Sequence, residues 1–444
     1  MTKRGMHYGA AMIVTLLVGA AGGSAAAADP VWLEIVPEGR VLARTVVSAG
    51  CPTISVDGKT STMSARLATG SNTPPPGQRL TCQIDVTGAG KVAVAGIKLR
   101  MPPKNPKRIV VLGDTGCRIK VSGKVDAAAD PDHDDGDAAA GKAKVQDCNT
   151  DWPFQTVADS AAASKPDLVV HVGDYLYRES PCPSGDNKEC GGSPSGDNWP
   201  TWHADFFKPA KNLLAAAPWV FVRGNHEICK RAGKGWSYYL APDAYASNDQ
   251  CADLAPAYAV KIGDFHAWIY DSSLADDSPA KDVGTYKAIY QQAAAAGLSH
   301  AWLISHRPLW ALKAGPKGDR ENFQTLNATL QAAWAAAPIA GIDLSIAGHT
   351  HMFELMSFST SQPPQLVIGN GGTMLARKLK AVPAGQQVGT ATLANIETAD
   401  DFGYGLFEAD AKGGGWSLQL HNSKGKKKLV CNISDGKTSC SKAP

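Results

Sequence analysis

The sequence has ten cysteines but no Cys-x2-Cys pair, which argues against a cysteine-ligated zinc module. It has no Gly-x-Ser-x-Gly, so it offers no serine nucleophile on a strand-to-helix turn. After residue 28 no apolar run is long enough to cross a bilayer. Charge of neither sign is in large excess. The formal net charge is +3 and no basic stripe occurs, so nothing electrostatic points to nucleic acid. A calcium loop is missing too. The stretch Asp130-Pro131-Asp132-His133-Asp134-Asp135-Gly136-Asp137 would put Asp135 and Gly141 where such a loop needs glycine and glutamate. A solvated acidic loop is expected there.

What is present begins with a leader. Lys3 and Arg4 precede the apolar run Ala10 to Ala21, followed by Ser24-Ala25-Ala26-Ala27-Ala28. A charged start, a short apolar stretch and small residues at the end make residues 1–28 a signal peptide, removed on export to a periplasmic or secreted location. Its removal leaves a net charge of about +1. Ten cysteines in an exported chain suggest disulfides. Sequence does not fix the pairing; nearest neighbours are the simplest choice, namely Cys51–Cys82, Cys117–Cys148, Cys182–Cys190, Cys229–Cys251 and Cys431–Cys440.

Residues 29–104 alternate short Val/Ile/Thr-rich runs with Gly, Pro and Asn: Val31 to Val36, Val41 to Val47, Thr53 to Val56, Leu80 to Val86 and Lys91 to Arg100. No helical periodicity appears. The pattern predicts a small antiparallel β domain, and the absence of clustered His and carboxylates gives it no chemistry. Met101 to Pro106 reads as a stiff linker.

Residues 105–444 carry an α/β pattern. Five apolar runs each end in a polar turn. Arg108 to Leu112 leads to Gly113-Asp114-Thr115-Gly116. Leu168 to Val172 leads to Gly173-Asp174-Tyr175-Leu176-Tyr177. Trp219 to Arg223 leads to Gly224-Asn225-His226-Glu227. Ala301 to Ser305 leads to His306, and Asp343 to Ala347 leads to Gly348-His349-Thr350-His351. Unbroken apolar runs suit strands buried on both faces. Open α/β sheets place ligands at the carboxyl ends of such strands. Five of them predict one polar cluster at one edge of one sheet. Helices are expected over 208–217, 287–301 and Asn322 to Ala337, with a β-meander from Phe402 onward.

The cluster would gather Asp114, Asp174, Tyr177, Asn225, His306, His349 and His351, enough ligands for two metal ions if one carboxylate bridges. Mixed oxygen and nitrogen donors suit Fe, Mn or Zn better than Mg or Ca. Two ions ~3.5–4 Å apart can hold the non-reacting oxygens of a phosphate, and a hydroxide between them as the nucleophile. No protein nucleophile is then needed.

Gly-Asp-x-Gly, Gly-Asp-x-x-Tyr, Gly-Asn-His-Glu, a strand ending in His, and Gly-His-x-His, in that order from Gly113 to His351, resemble the calcineurin-like metallophosphoesterases, and among them the purple acid phosphatases. Many relatives carry a histidine two places after the first aspartate. Here Gly116 stands there, and the branch that lacks this histidine has a tyrosine where this chain has Tyr177. The resemblance implies a two-sheet α/β sandwich behind the small all-β, sandwich-like domain. It implies Fe(III) on Asp114, Tyr177 and His351, and Zn, Mn or Fe(II) on Asn225, His306 and His349, with Asp174 bridging. His226 would contact the phosphate and protonate the leaving oxygen. One departure is Trp310 in Arg307-Pro308-Leu309-Trp310, where purple phosphatases often have tyrosine. His203 and His266 are loose candidates for further pocket histidines.

The expected activity is that of an exported acid phosphatase-like phosphomonoesterase on small phosphate esters, using two metal ions. A phosphodiesterase or nucleotidase on the same ions is the alternative enzyme. A silent exported binding protein using its β domain is the reading from another class, and intact Asp174, Asn225 and His226 speak against it. Neither nucleic acid nor, after leader removal, a membrane is an expected partner.

Overall fold

The computed structural model describes residues 1–2, 29–120, 144–183, 189–245, 247, 251–275, 277–315, 319–377, 379–410 and 415–443. Residues 3–28, where a leader is expected, and the acidic stretch 130–137 lie outside these residues.

Two mixed sheets face each other, with helices on both outer sides. In the larger sheet, Arg108–Leu112, Leu168–His171 and Trp219–Phe221 run parallel and in register, so that Leu112, His171 and Phe221 end side by side. In the smaller sheet, Phe265–Ile269, Ala301–Ile304 and Ile342–Ala347 do the same, with Ile269, Ile304 and Ile346 aligned. The predicted cluster therefore lies between the carboxyl ends of two sheets, not along one. Three polar turns come from the first sheet and two from the second.

The apolar runs are unbroken because each strand is covered on both sides. Ile109 and Val111 enter the core between the sheets, where they meet residues such as Ile304, Ile346 and Ile368. Val110 and Leu112 point the other way, against Phe154 and Val157 of the helix Phe154–Ala163. The second sheet repeats the layering. Leu303 and Val367 pack beneath the helices Val283–Ala295 and Ala328–Ala336. Full burial of such a side chain is worth about 1.5–3 kcal/mol. The two rows of strand ends are thus held rigidly opposite each other.

The region 29–104 is strand-rich, as expected, and it is also built into the rest of the chain. Val31–Ile35 continues the larger sheet beside Trp219–Phe221, through Glu34 opposite Trp219. Val41–Val47, Leu80–Asp85 and Ser64–Ala65 extend it further. A separate four-stranded sheet holds Lys59–Thr62, Thr53–Val56, Val92–Val94 and Ile97–Leu99. The junction is polar and buried. Arg44 Nη1 donates to Glu34 Oε2 at 2.5 Å and to the carbonyls of Tyr239 and Ala241.

The helix expected from Asn322 begins at Ala328 instead. Residues Asp319–Leu326 pair with Ala311–Gly315 as a hairpin. Asn327 then caps the helix, its side chain accepting from Leu330 N at 2.9 Å. An asparagine in that place satisfies a main-chain N–H that the first helical turn leaves open, which fixes the start. From Gly403 onward, four antiparallel strands form the expected meander. All five nearest-neighbour cysteine pairs are disulfides. No helix among the described residues is long and apolar enough to cross a membrane.

Candidate metal centre

Each strand end turns sharply, and the turns carry backbone strain. Four of the eleven described non-glycine residues with positive φ sit here: Asp114 at 57°, Asp174 at 59°, His349 at 77° and His351 at 50°. Such conformations cost of order 1–3 kcal/mol each and persist where the surroundings enforce them. One glycine makes the closest approach. A Cβ on Gly224 would lie 2.0 Å from Asp174 Oδ1, so only glycine lets the third turn pass the second.

The eight predicted side chains come together, and none is more than 8% exposed. They form two groups that share Asp174. Donor atoms of Asp114, Asp174 and His351 lie within 4.8 Å of one another, and so do those of Asp174, His306 and His349. Tyr177 joins the first group. Its Oη is 2.8 Å from Asp174 Oδ2, 3.1 Å from Asp114 Oδ1 and 2.8 Å from His351 Nε2. Asn225 joins the second. Its Oδ1 is 2.8 Å from His306 Nε2 and 3.0 Å from His349 Nδ1.

The donor set fits two cations. A phenol has one proton and cannot donate to the Asp114 and Asp174 carboxylates at once. The Val172 carbonyl accepts from His306 Nδ1 at 2.8 Å, so Nε2 is the ring nitrogen that faces the Asn225 oxygen and is placed to bind an ion. Burial pushes the Asp114 carboxyl up to about 7, against the pull of His306 and with the push of Asp174. Crowded carboxylates, lone pairs aimed inward and little access to water are what a bound cation would relieve.

Several buried groups that sequence reasoning left without a role support the ligands. Glu227, quoted only as the end of a motif, accepts from the main-chain N–H groups of Asp174, Tyr175, Leu176 and Gly224. Asp205 ties the first turn to the second, accepting from Cys117 N, Tyr177 N and Arg178 N. His171, the last residue of its strand, stacks on Tyr175 and meets Thr115 Oγ1 at 3.0 Å. Asp205 and Glu227 are long-range partners with no sequence signal of their own.

Gly116 has no room for a side chain. A Cβ there would lie 2.7 Å from both Tyr175 O and Tyr177 N. The position that holds histidine in many relatives is closed by the very turn that delivers Tyr177.

His226 lies beside the two groups. Its Nε2 is 3.8 Å from Asp174 Oδ2, and its ring centroid is 3.8 Å from that of Tyr177. Glu179 Oε1 is 3.1 Å from His226 Nδ1, and Arg231 pairs with Glu179. Burial alone would raise the Glu179 carboxyl, but Arg231 and His226 outweigh it and hold it at about 2. Arg118 lies over the Tyr177 ring, 5.2 Å from its centre.

Three sequence candidates lie elsewhere. His203 packs on Trp199 under the helical layer. His266 stands near the start of its strand, opposite Ala301, with Nδ1 3.1 Å from Ser299 O. Trp310 is buried against Trp334 and Phe358, which removes it from any substrate pocket.

The family model of the calcineurin-like phosphoesterases matches residues 107–353. No curated protein matches the chain. Among solved structures, the chain is similar to a purple acid phosphatase from yellow lupin (Lupinus luteus) seeds. The identity is 14%, the TM-score 0.54, and the match covers 91% of this chain and 74% of that one. It is also similar to PhoD, at 11% identity and a TM-score of 0.56, covering 94% and 92%. At these identities the likeness is one of fold.

Proposed function

The chain belongs to the calcineurin-like phosphoesterase family, and from that premise we propose that it is an exported phosphatase that hydrolyses phosphate monoesters with two metal ions. Family membership implies hydrolysis of phosphoric esters. The observation that carries the fuller reading is the pair of buried donor groups meeting on Asp174. Asp114, Asp174, Tyr177 and His351 would hold the first ion. Asp174, Asn225, His306 and His349 would hold the second. When bound, the ions supply positive charge to phosphoryl oxygens and make water more acidic.

The chain's own residues do the rest. Glu179 Oε1 faces His226 Nδ1 at 3.1 Å and favours the charged ring, which carries on Nε2 a proton for the leaving oxygen; Arg231 Nη2 lies 2.6 and 2.8 Å from the two ring nitrogens, and its charge works against that form. Arg118 and Arg231 add positive charge beside the donors, which suits a dianionic monoester better than a singly charged diester. The five disulfides and the leader-like residues 1–28 support export.

Comparing nitrophenyl phosphate with bis(nitrophenyl) phosphate tests the substrate class. Faster turnover of the monoester is expected; the reverse would make the protein a phosphodiesterase.

Tyr177 argues for Fe(III) in the first position. Phenolate is a hard, electron-rich oxygen donor that stabilises the trivalent ion and gives it a visible charge-transfer band. A trivalent ion also acidifies water more than a divalent one, so the activity should peak at acidic pH. Purified protein is expected to be coloured. Tyr177→Phe should lose the band and keep the ion on His306 and His349, read by elemental analysis and absorption. Colourless, iron-free wild type with an alkaline optimum would remove the iron assignment and leave the family assignment in place.

A further inference from the structure

We infer that Asp277 is a positioning residue for the second metal ion, acting through His349; this rests on the two-ion reading above. The inference starts from how the two histidines of that group are backed. In each, one ring nitrogen faces Asn225 Oδ1, and the other faces away from the site. A ligating imidazole must carry its remaining proton on the nitrogen that faces away, and whatever accepts that proton sets the ring's tautomer, aim and basicity.

Behind His306 the acceptor is the main-chain carbonyl of Val172. It is neutral, and no substitution of a side chain removes it. Behind His349 stands a carboxylate. Asp277 Oδ2 lies 3.5 Å from His349 Nε2, and Arg307 Nη1 lies 3.1 Å from the same nitrogen. A guanidinium can only donate, so for a ring that ligates through Nδ1 the acceptor of the Nε2 proton is Asp277 Oδ2. The same oxygen accepts from Arg307 Nη1 at 3.0 Å, and Asp277 Oδ1 accepts from Asn327 Nδ2 at 2.6 Å. Arg307 and Asn327 are fully buried, and Arg307 directly follows His306. The Asp277 carboxylate is thus gripped on both oxygens, and its Oδ2 offsets the Arg307 cation that would otherwise face the His349 N–H alone. It makes that imidazole a better donor and fixes Nδ1 toward the site. Among the described contacts of His306 and His349, it is the one carboxylate on the nitrogen that faces away.

Asp277 lies in Ala275-Asp276-Asp277-Ser278-Pro279, which matches no metal motif, and Arg307 was in view only as the first residue of the stretch that ends in Trp310. The pairing of the two is a property of the fold.

The test uses the full chain stripped of metal by chelation and titrated with Zn(II) by calorimetry. Retained ions are then counted after desalting. Wild type should hold two ions. Asp277→Asn, which keeps the shape and loses the charge, should bind its weaker ion about 10–100-fold less tightly and keep one after desalting. Excess Zn(II) should restore kcat with KM unchanged. Asp277→Glu, which keeps the charge, should fall between the two. The melting temperature of the metal-free Asp277→Asn protein should match wild type, since a merely structural role would lower it. If wild type holds two ions and Asp277→Asn holds both as tightly, the inference fails and the two-ion reading survives. Loss of both ions together with a lower metal-free melting temperature would also overturn it, by making Asp277 a fold residue. Should Asp277→Asn not fold, Asp277→Glu decides: second-ion affinity equal to wild type would count against the inference, and selective weakening would support it. A wild type that holds fewer than two ions would overturn the reading beneath.

Discussion

Asp174→Ala should release both metal ions and lower phosphate-ester hydrolysis by more than about 10³-fold, more than the loss of a single electrostatic donor costs elsewhere. Asp174 is the one side chain common to both donor groups. Its removal takes a ligand from each ion and leaves two like charges with no anion between them. The fold should survive. The turn is held by main-chain bonds that do not involve the carboxylate, from Asp174 N to Glu227 and from Asp114 N to Gly173 O. The main-chain bond from His226 N to Asp174 Oδ1, at 2.9 Å, is lost with the side chain. That leaves a buried N–H without its acceptor and costs roughly 1–3 kcal/mol, less than the about 5–15 kcal/mol of a domain's stability. Elemental analysis of the purified variant, alongside circular dichroism, is the check. Two ions per chain in Asp174→Ala would show that the carboxylate does not bridge.

The site was legible because its residues follow strands in short, fixed steps. Leu112, His171 and Phe221 align in one sheet, so the residues two, three and four places beyond them meet: Asp114, Asp174 and Asn225. The same holds for His306 and His349 beyond Ile304 and Ile346. Buried strands and Gly-containing turns are local signals, and they read correctly. What they do not encode is which sheet a strand joins. A run covered on both faces looks the same in either layer, so five strands were expected in one sheet and stand in two. For the same reason the Val31–Ile35 run gave no sign that it would pair beside Trp219. The supports were hidden for another reason. Asp205 is a single carboxylate in the short helical stretch His203–Phe207, Glu179 and Asp277 stand in irregular stretches, and the partners of the three lie 27 to 88 residues away. Glu227 was in view, but its role depends on main-chain N–H groups some fifty residues upstream.

His226→Ala should lower turnover by about 10²–10⁴-fold while both ions stay in place. The residue follows a ligand, Asn225, but lies outside both donor groups, so metal content should not depend on it. Glu179 faces Nδ1 and favours the charged ring, whose Nε2 proton lies on the side of Asp174, and Arg231 Nη2, 2.8 Å from Nε2, must give way to the leaving oxygen. The size of the loss should follow the leaving group. An alkyl or phenyl phosphate expels a basic oxygen and needs the proton, so the full loss is expected. A dinitrophenyl phosphate expels a stable anion and should lose far less. Glu179→Gln should show the same dependence in weaker form, because the amide can still accept from Nδ1 but no longer favours the charged imidazolium. Equal losses for phenyl and dinitrophenyl phosphate would rule out proton donation. His226 would then serve to bind the phosphate, and the role of Glu179 would reduce to holding the ring in place.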